Sequence, residues 1–329
     1  METLTSVQKI LRAMQEKNSL LCVGFDPEPE KLPIFLLNEM HQRYDDPDEA
    51  MAQTMKEFIV PILEAVAPYA STVKPQSAFY ERYGHHSIRV LEQIIKRAHE
   101  LGLPVILDAK RGDGGPTAEA YADAYLGKNS YWDVATQSFI RKEGPLHVEA
   151  LTIQPGIGDA CLVPFIARAK EYGTCPLIVT KSSFTPNSFV EMIETDDGRV
   201  WQQIAQHIAE LSNELPEYDG YKNIGVVMGA TYPDDAPFMR QVLKSALFLV
   251  PGYGAQGGGA DEAVFGIDPQ GLGCVINSSR GILYAYLAEE FKKKYDDYDR
   301  HFVLAAATAA MHARDDLNAA LSRKLSARV

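Results

Sequence analysis

The sequence is short of cysteine, of basic excess and of long apolar runs, and each shortage excludes something. Cys22, Cys161, Cys175 and Cys274 are the only cysteines in 329 residues. They show no C-x-x-C spacing, and three lie in or beside apolar runs, where a thiol acts as a small hydrophobe. Neither a disulfide framework nor a zinc site is expected. Lysine and arginine number 32 against 44 acidic residues, a formal charge of -12. Nucleic acid or an anionic membrane as main partner would demand the opposite balance. A local basic pocket for one small anion remains compatible with it. No stretch approaches ~18 uninterrupted apolar residues. The opening METLTSVQKILRAMQEKN reads as an amphipathic helix (about 3–17) without the uncharged core of a signal peptide, so a cytoplasmic location is expected. Low-complexity tracts and composition breaks are missing too.

What is present is alternation. Eight short apolar runs, at 19–24, 71–73, 105–107, 148–153, 176–179, 223–228, 247–250 and 274–277, are separated by helix-sized spacers. Continuous apolar runs of this length suit strands buried on both faces. Helical spacing recurs at 48–67, 87–101, 162–172, 200–215 and 236–244, and Pro116 stands near the first turn of another helix. Residues 28–47, with Pro29, Pro33 and Pro47, read as a loop-rich insertion, and 184–198 as polar and irregular. Eight β/α units predict a single-domain (β/α)8 TIM barrel over 1–329, with a doubly wound open sheet as the alternative. The placement of polar residues favours the barrel. Asp26, Lys74, Asp108, Lys110, Ser183, Gln256 and Arg280 all fall at or just past strand ends, the rim where barrel enzymes keep their chemistry.

The densest chemistry lies in PVILDAKRGDGGPT, residues 104–117. Asp108 and Lys110 are two apart, so an extended strand sends both side chains to one face. Asp113 follows in a glycine-rich turn from which its carboxylate can fold back toward the lysine. Two like charges about 4 Å apart repel by roughly 4 kcal/mol at an effective dielectric of 20. The cluster is therefore either a working site or a surface ion-pair group at a loop mouth. In a barrel, strands two and three are neighbours. Lys74 then joins the group and makes an alternating Lys-Asp-Lys-Asp tetrad whose charge sums to zero. A substrate carboxylate set against Asp108 would disturb that balance, and its loss as CO₂ would restore it.

Two further stretches suit a phosphate. PGYGAQGGG (251–259) leaves strand seven with exposed backbone N–H groups, and Asn277-Ser278-Ser279-Arg280 leaves strand eight and opens a helix. Arg280 can bind a dianion bidentately. Other motifs carry less. His85-His86 lacks a carboxylate at ligand spacing and reads as loop histidines. The run Lys292–Lys294 is neutralised at once by Asp296 and Asp297. GYGAQGG is not read as a dinucleotide fingerprint, because no acidic ribose ligand sits about twenty residues on, after another strand.

The segments VGFDP (23–27), VKPQSAFYE (73–81), LDAKRGD (107–113), GATYP (229–233), PGYGAQGG (251–258) and NSSR (277–280) resemble, in order, orotidine 5'-phosphate decarboxylase of the longer bacterial type, type 2. The resemblance runs from about residue 20 to 290. It implies a carboxy-lyase of pyrimidine (UMP) biosynthesis, free of metal and cofactor, that converts orotidine 5'-monophosphate to UMP and CO₂. By position, Lys74, Asp108, Lys110 and Asp113 correspond to the family's charged tetrad, with Lys110 protonating C6. Asp26 and Thr117 correspond to ribose ligands, Gln256, Ser279 and Arg280 to the phosphate site, and Ser182 or Ser183 to the pyrimidine contact. A homodimer is also implied, Asp113 and Thr117 reaching into the neighbouring subunit's pocket. Segments 184–198 and 254–266 are the lid candidates.

The sequence departs from the family at Gly114 and Pro116, at Gln154-Pro155-Gly156, at Phe184 and in the long glycine run 257–259. These departures keep a silent nucleotide-binding protein as a competing reading. Keto-gulonate-phosphate decarboxylases and hexulose-phosphate synthases share D-x-K-x-x-D but bind magnesium with an acidic residue at the end of strand two. Lys74 occupies that place here, and a cation repels Mg²⁺.

Overall fold

Each of the eight apolar runs forms a strand: β1 (Leu21–Phe25), β2 (Thr72–Pro75), β3 (Ile106–Arg111), β4 (Ala150–Ile153), β5 (Cys175–Lys181), β6 (Gly225–Met228), β7 (Leu247–Val250) and β8 (Cys274–Ser278). The structure is a computed structural model and describes residues 4–184, 188–254 and 257–327. Every neighbouring pair is parallel, in the order β2-β1-β8-β7-β6-β5-β4-β3. Bridges Val73–Val105 and Gln76–Asp108 join β2 to β3 and close the sheet on itself. The barrel is thereby established over the open sheet. Six of the strands are buried at every residue, because side chains fill the inside while helices cover the outside.

The N-terminal helix spans Ser6–Glu16; Thr5 caps it and Gln8 completes the capping box. The loop-rich reading of 28–47 is corrected. This segment holds a single turn, Pro29–Lys31, and a helix, Ile34–Arg43, whose Leu36 and Met40 are buried. Pro29 and Pro47 occupy first-turn positions and Pro33 an N-cap, so the prolines start elements instead of breaking them. His85 and His86 likewise sit in the first turn of helix Gly84–Glu100, outside any loop. Part of 184–198 is regular: Glu194–Thr195 pairs with Gly198–Arg199. A further hairpin, Asn129–Asp133 with Ser138–Lys142, follows helix Gly115–Leu126. Its turn lacks the Asn-Gly or Gly-X signal that marks tight hairpins. Gln137 takes the positive φ of 50° there.

Below the barrel, Glu149 ties three elements together. It is buried, pairs with Lys9 (3.1 Å) and His99 (3.0 Å), and accepts the Val105 N–H (3.0 Å). Burial pushes its carboxyl up, but the His99 and Val105 hydrogen bonds and the Lys9 charge outweigh this and hold it at about 2 against an ordinary 4.5. A depressed carboxylate contributes stability that is complete above its unfolded value and is lost as pH falls through the folded one. Wild type should therefore lose about 3 kcal/mol between pH 4.5 and 2 through this group. Urea unfolding of wild type and Glu149→Gln across that window checks it, since the variant lacks this slope.

All four cysteines are buried free thiols, and Cys22 is pushed up to about 12, chiefly by burial. No helix among the described residues is long and apolar enough to cross a membrane.

Candidate active site

The C-terminal ends of the strands surround a cavity of about 880 Å³. Val179, Val227 and Leu249 supply an apolar side, and Asp26, Lys74, Asp108, Lys110, Ser182, Ser183, Ser279 and Arg280 bring polar groups to it. A hollow of about 1060 Å³ elsewhere is larger but chemically spent. There Arg240 donates to the carbonyls of Gly266, Leu243, Ala246 and Gly273, and Tyr221 bonds Asp268.

Four charges in the rim cavity form an alternating chain. Lys74 Nζ lies 3.2 Å from Asp108 Oδ2 and 3.7 Å from Asp26 Oδ1, and Lys110 Nζ lies 2.6 Å from Asp108 Oδ1. Burial alone would push the Lys74 ammonium down; Asp26 and Asp108 outweigh it and hold it above the usual lysine range. Burial would likewise push Asp108 up. The charges of Lys74 and Lys110, with hydrogen bonds from Lys110 and Thr152, hold it well below the carboxylate range instead. Asp108 is thus a permanent anion between two cations. Among the described residues, no group of three or more His, Cys, Asp or Glu is placed to hold a metal ion.

Lys110 reaches this position by a different route from simple alternation. Its φ is 45°, and the register of β3 against β4 shifts between Leu107 and Arg111. The local irregularity re-aims the lysine, as bulges do. Asp113 does not fold back within its own chain. Its Oδ1 accepts the Gly114 N–H at 2.7 Å, and it forms no ion pair among the described residues. Asp113 and Thr117 are exposed and do not line this cavity. Gln256 lies outside the described residues.

The exit of β5 is locked by residues that spacing did not single out. Lys181 is fully buried, pairs with Glu191 (3.2 Å) and lies 4.0 Å from the Tyr232 ring centroid. Glu191 also accepts the Ser182 N–H at 3.0 Å, and Tyr232 donates to the Phe184 carbonyl at 2.6 Å. A Cβ on Gly229 would fall 2.6 Å from Ser183 Cα, so only glycine lets the β6 exit lie this close. Ser182 Oγ is left buried with no hydrogen-bond partner among the described residues. On the opposite wall, a Cβ on Gly24 would lie 1.8 Å from Ser279 Oγ; its absence lets the β8 exit pack over β1.

Sequence reasoning also missed Thr152. Its hydroxyl donates to Asp108 Oδ1 at 2.7 Å. The available signal was a hydroxyl within the apolar run of β4, two residues before Gln154, which also lines the cavity.

Charge alternation buried at the C-terminal rim places the molecule among barrel enzymes whose chemistry is run by preorganised side-chain charge. Residues 19–295 match the orotidine 5'-phosphate decarboxylase / HUMPS family. An orotidine 5'-phosphate decarboxylase of Rhodopirellula baltica is 34% identical over 94% of this chain and 98% of its own. One of Deinococcus radiodurans is 34% identical over 97% and 99%. The solved OMP decarboxylase of Leishmania donovani superposes with a TM-score of 0.70 over 97% of this chain and 100% of that one; at 24% identity this likeness bears on the fold. The chain belongs to the orotidine 5'-phosphate decarboxylase / HUMPS family, and its enzyme class is carboxy-lyase.

Proposed function

We propose that the protein converts orotidine 5'-monophosphate to UMP and CO₂ in cytoplasmic pyrimidine biosynthesis, with no metal or cofactor. The observation that carries this is the Asp26–Lys74–Asp108–Lys110 chain inside the rim cavity. The substrate carboxylate sits against the Asp108 anion. The C6–carboxylate bond breaks, CO₂ leaves, and the electron pair stays on C6. Lys110 gives that carbon a proton and regains one from solvent. Its ammonium supplies the field that stabilises the carbanion before the proton moves.

The remaining roles follow position and exposure. Arg280 and Ser279, with Gln256, take the phosphate, and Asp26 the ribose. Ser182, whose Oγ is buried beside the cavity with no hydrogen-bond partner among the described residues, reads the pyrimidine in preference to Ser183. Asp113 and Thr117 stand exposed at the start of helix Gly115–Leu126, outside their own cavity. They serve the neighbouring subunit of a homodimer, where Asp113 completes the Lys-Asp-Lys-Asp tetrad. Phosphate contacts remote from C6 hold the ring against the charges and turn binding energy into rate. Lys74 already compensates Asp26 and Asp108, which disfavours the magnesium chemistry of related barrels.

The test follows orotidine 5'-monophosphate absorbance with and without EDTA. Loss that is insensitive to EDTA supports the proposal. UMP binding without CO₂ release would leave a nucleotide-binding protein, and EDTA-sensitive turnover a metal-dependent one.

A further inference from the structure

The β3–β4 junction is irregular at one point only, and that point carries the chemistry. Ile106 and Leu107 pair with Ala150 and Leu151, and the next pair is Arg111 with Ile153. Asp108, Ala109 and Lys110 therefore face a single residue, Thr152. Its side chain replaces the missing ladder. Thr152 Oγ1 accepts the Lys110 N–H at 3.0 Å and donates to Asp108 Oδ1 at 2.7 Å.

A threonine hydroxyl has one proton to give. With Asp108 held as an anion, that proton points at the carboxylate and leaves a lone pair for the Lys110 N–H. The two bonds thus fix a direction: the Lys110 backbone N–H donates to Thr152 and Thr152 donates to Asp108, whose Oδ1 also accepts from the Lys110 ammonium at 2.6 Å. This closed circuit holds Lys110 at φ 45°, a left-handed conformation that lysine seldom adopts. Thr152 is 1% exposed, so water does not replace its hydroxyl.

We infer that Thr152 is the positioning residue that aims Lys110 at the reacting carbon, through the bulge in β3 and the anchored carboxylate of Asp108. This rests on the proposed decarboxylation. It adds that the rate depends on a hydroxyl that need not touch substrate.

Thr152→Val keeps the shape and removes both bonds; Thr152→Ser keeps both. Misplacing a catalytic group by about 1 Å costs on the order of 10²-fold in rate. The expected result is a kcat fall of that order in Thr152→Val, KM for orotidine 5'-monophosphate within about threefold of wild type, and recovery to within about threefold in Thr152→Ser. Thr152→Ala, the smaller variant, reports the same loss if the valine fails to fold, as judged by UMP binding and thermal melting. Unchanged kcat in the folded Val or Ala variant overturns the inference while decarboxylation stands. So does a loss that serine fails to restore. A wild type that releases no CO₂ overturns the decarboxylase reading and this inference together.

Discussion

Replacing Lys110 by alanine is expected to lower kcat for orotidine 5'-monophosphate by about 10⁴-fold or more, because two contributions vanish at once. A positioned proton donor contributes about 10²–10⁴-fold, and a preorganised charge beside a developing anion adds about 10²–10³-fold. The fold should tolerate the change. Lys110 is 40% exposed at its side chain, and Asp108 keeps Lys74 and the Thr152 hydroxyl as partners. UMP affinity should then move far less than kcat, since the ground state offers Lys110 no carbanion to stabilise. Single-turnover absorbance with a thermal melt checks both halves. A kcat loss below tenfold with the fold intact would remove Lys110 from the proposed mechanism.

Lys74 separates structure from chemistry in the opposite sense. It is 5% exposed at its side chain and compensates two carboxylates, Asp26 and Asp108. Lys74→Met leaves those charges facing each other in a buried site, and breaking a buried pair costs about 3–5 kcal/mol. In a chain of this size that corresponds to a melting-temperature drop of roughly 5–15 °C. The sign of the pH dependence is testable. In wild type the depressed Asp108 contributes stability that is present above its ordinary 3.8 and lost as pH falls below it. In the variant, burial regains the upper hand and Asp108 takes up a proton more readily. The stability gap should be widest near neutrality and narrow as pH falls toward 4. A gap that widens on acidification would show that Lys74 is not what holds Asp108 ionised.

The fold was legible because its signals are local and repeated. Eight apolar runs and the helix-sized spacers between them give eight β/α units, since a strand buried on both faces needs no alternation to be recognised, and the polar residues at their ends favour the barrel over an open sheet. The proline-rich stretch 28–47 misled because the same residue starts helices and breaks them. Pro29, Pro33 and Pro47 all turned out to be starts. The hairpin at Asn129–Lys142 was invisible because its turn carries no glycine.

Residue identity and spacing by themselves determined the eight β/α units and the placing of Asp26, Lys74, Asp108 and Lys110 at strand ends, which converge at one mouth once the parallel sheet closes. Only the tertiary structure decided how those charges pair. It put Asp26 against Lys74, drew Thr152 into the gap between β3 and β4, buried Lys181 against Glu191, and turned Asp113 away from the lysine three residues before it. The reason is that a hydrogen bond depends on ångström-scale distance and direction. Both are set by strand register and a single left-handed residue, which the chain acquires only when β3 and β4 meet.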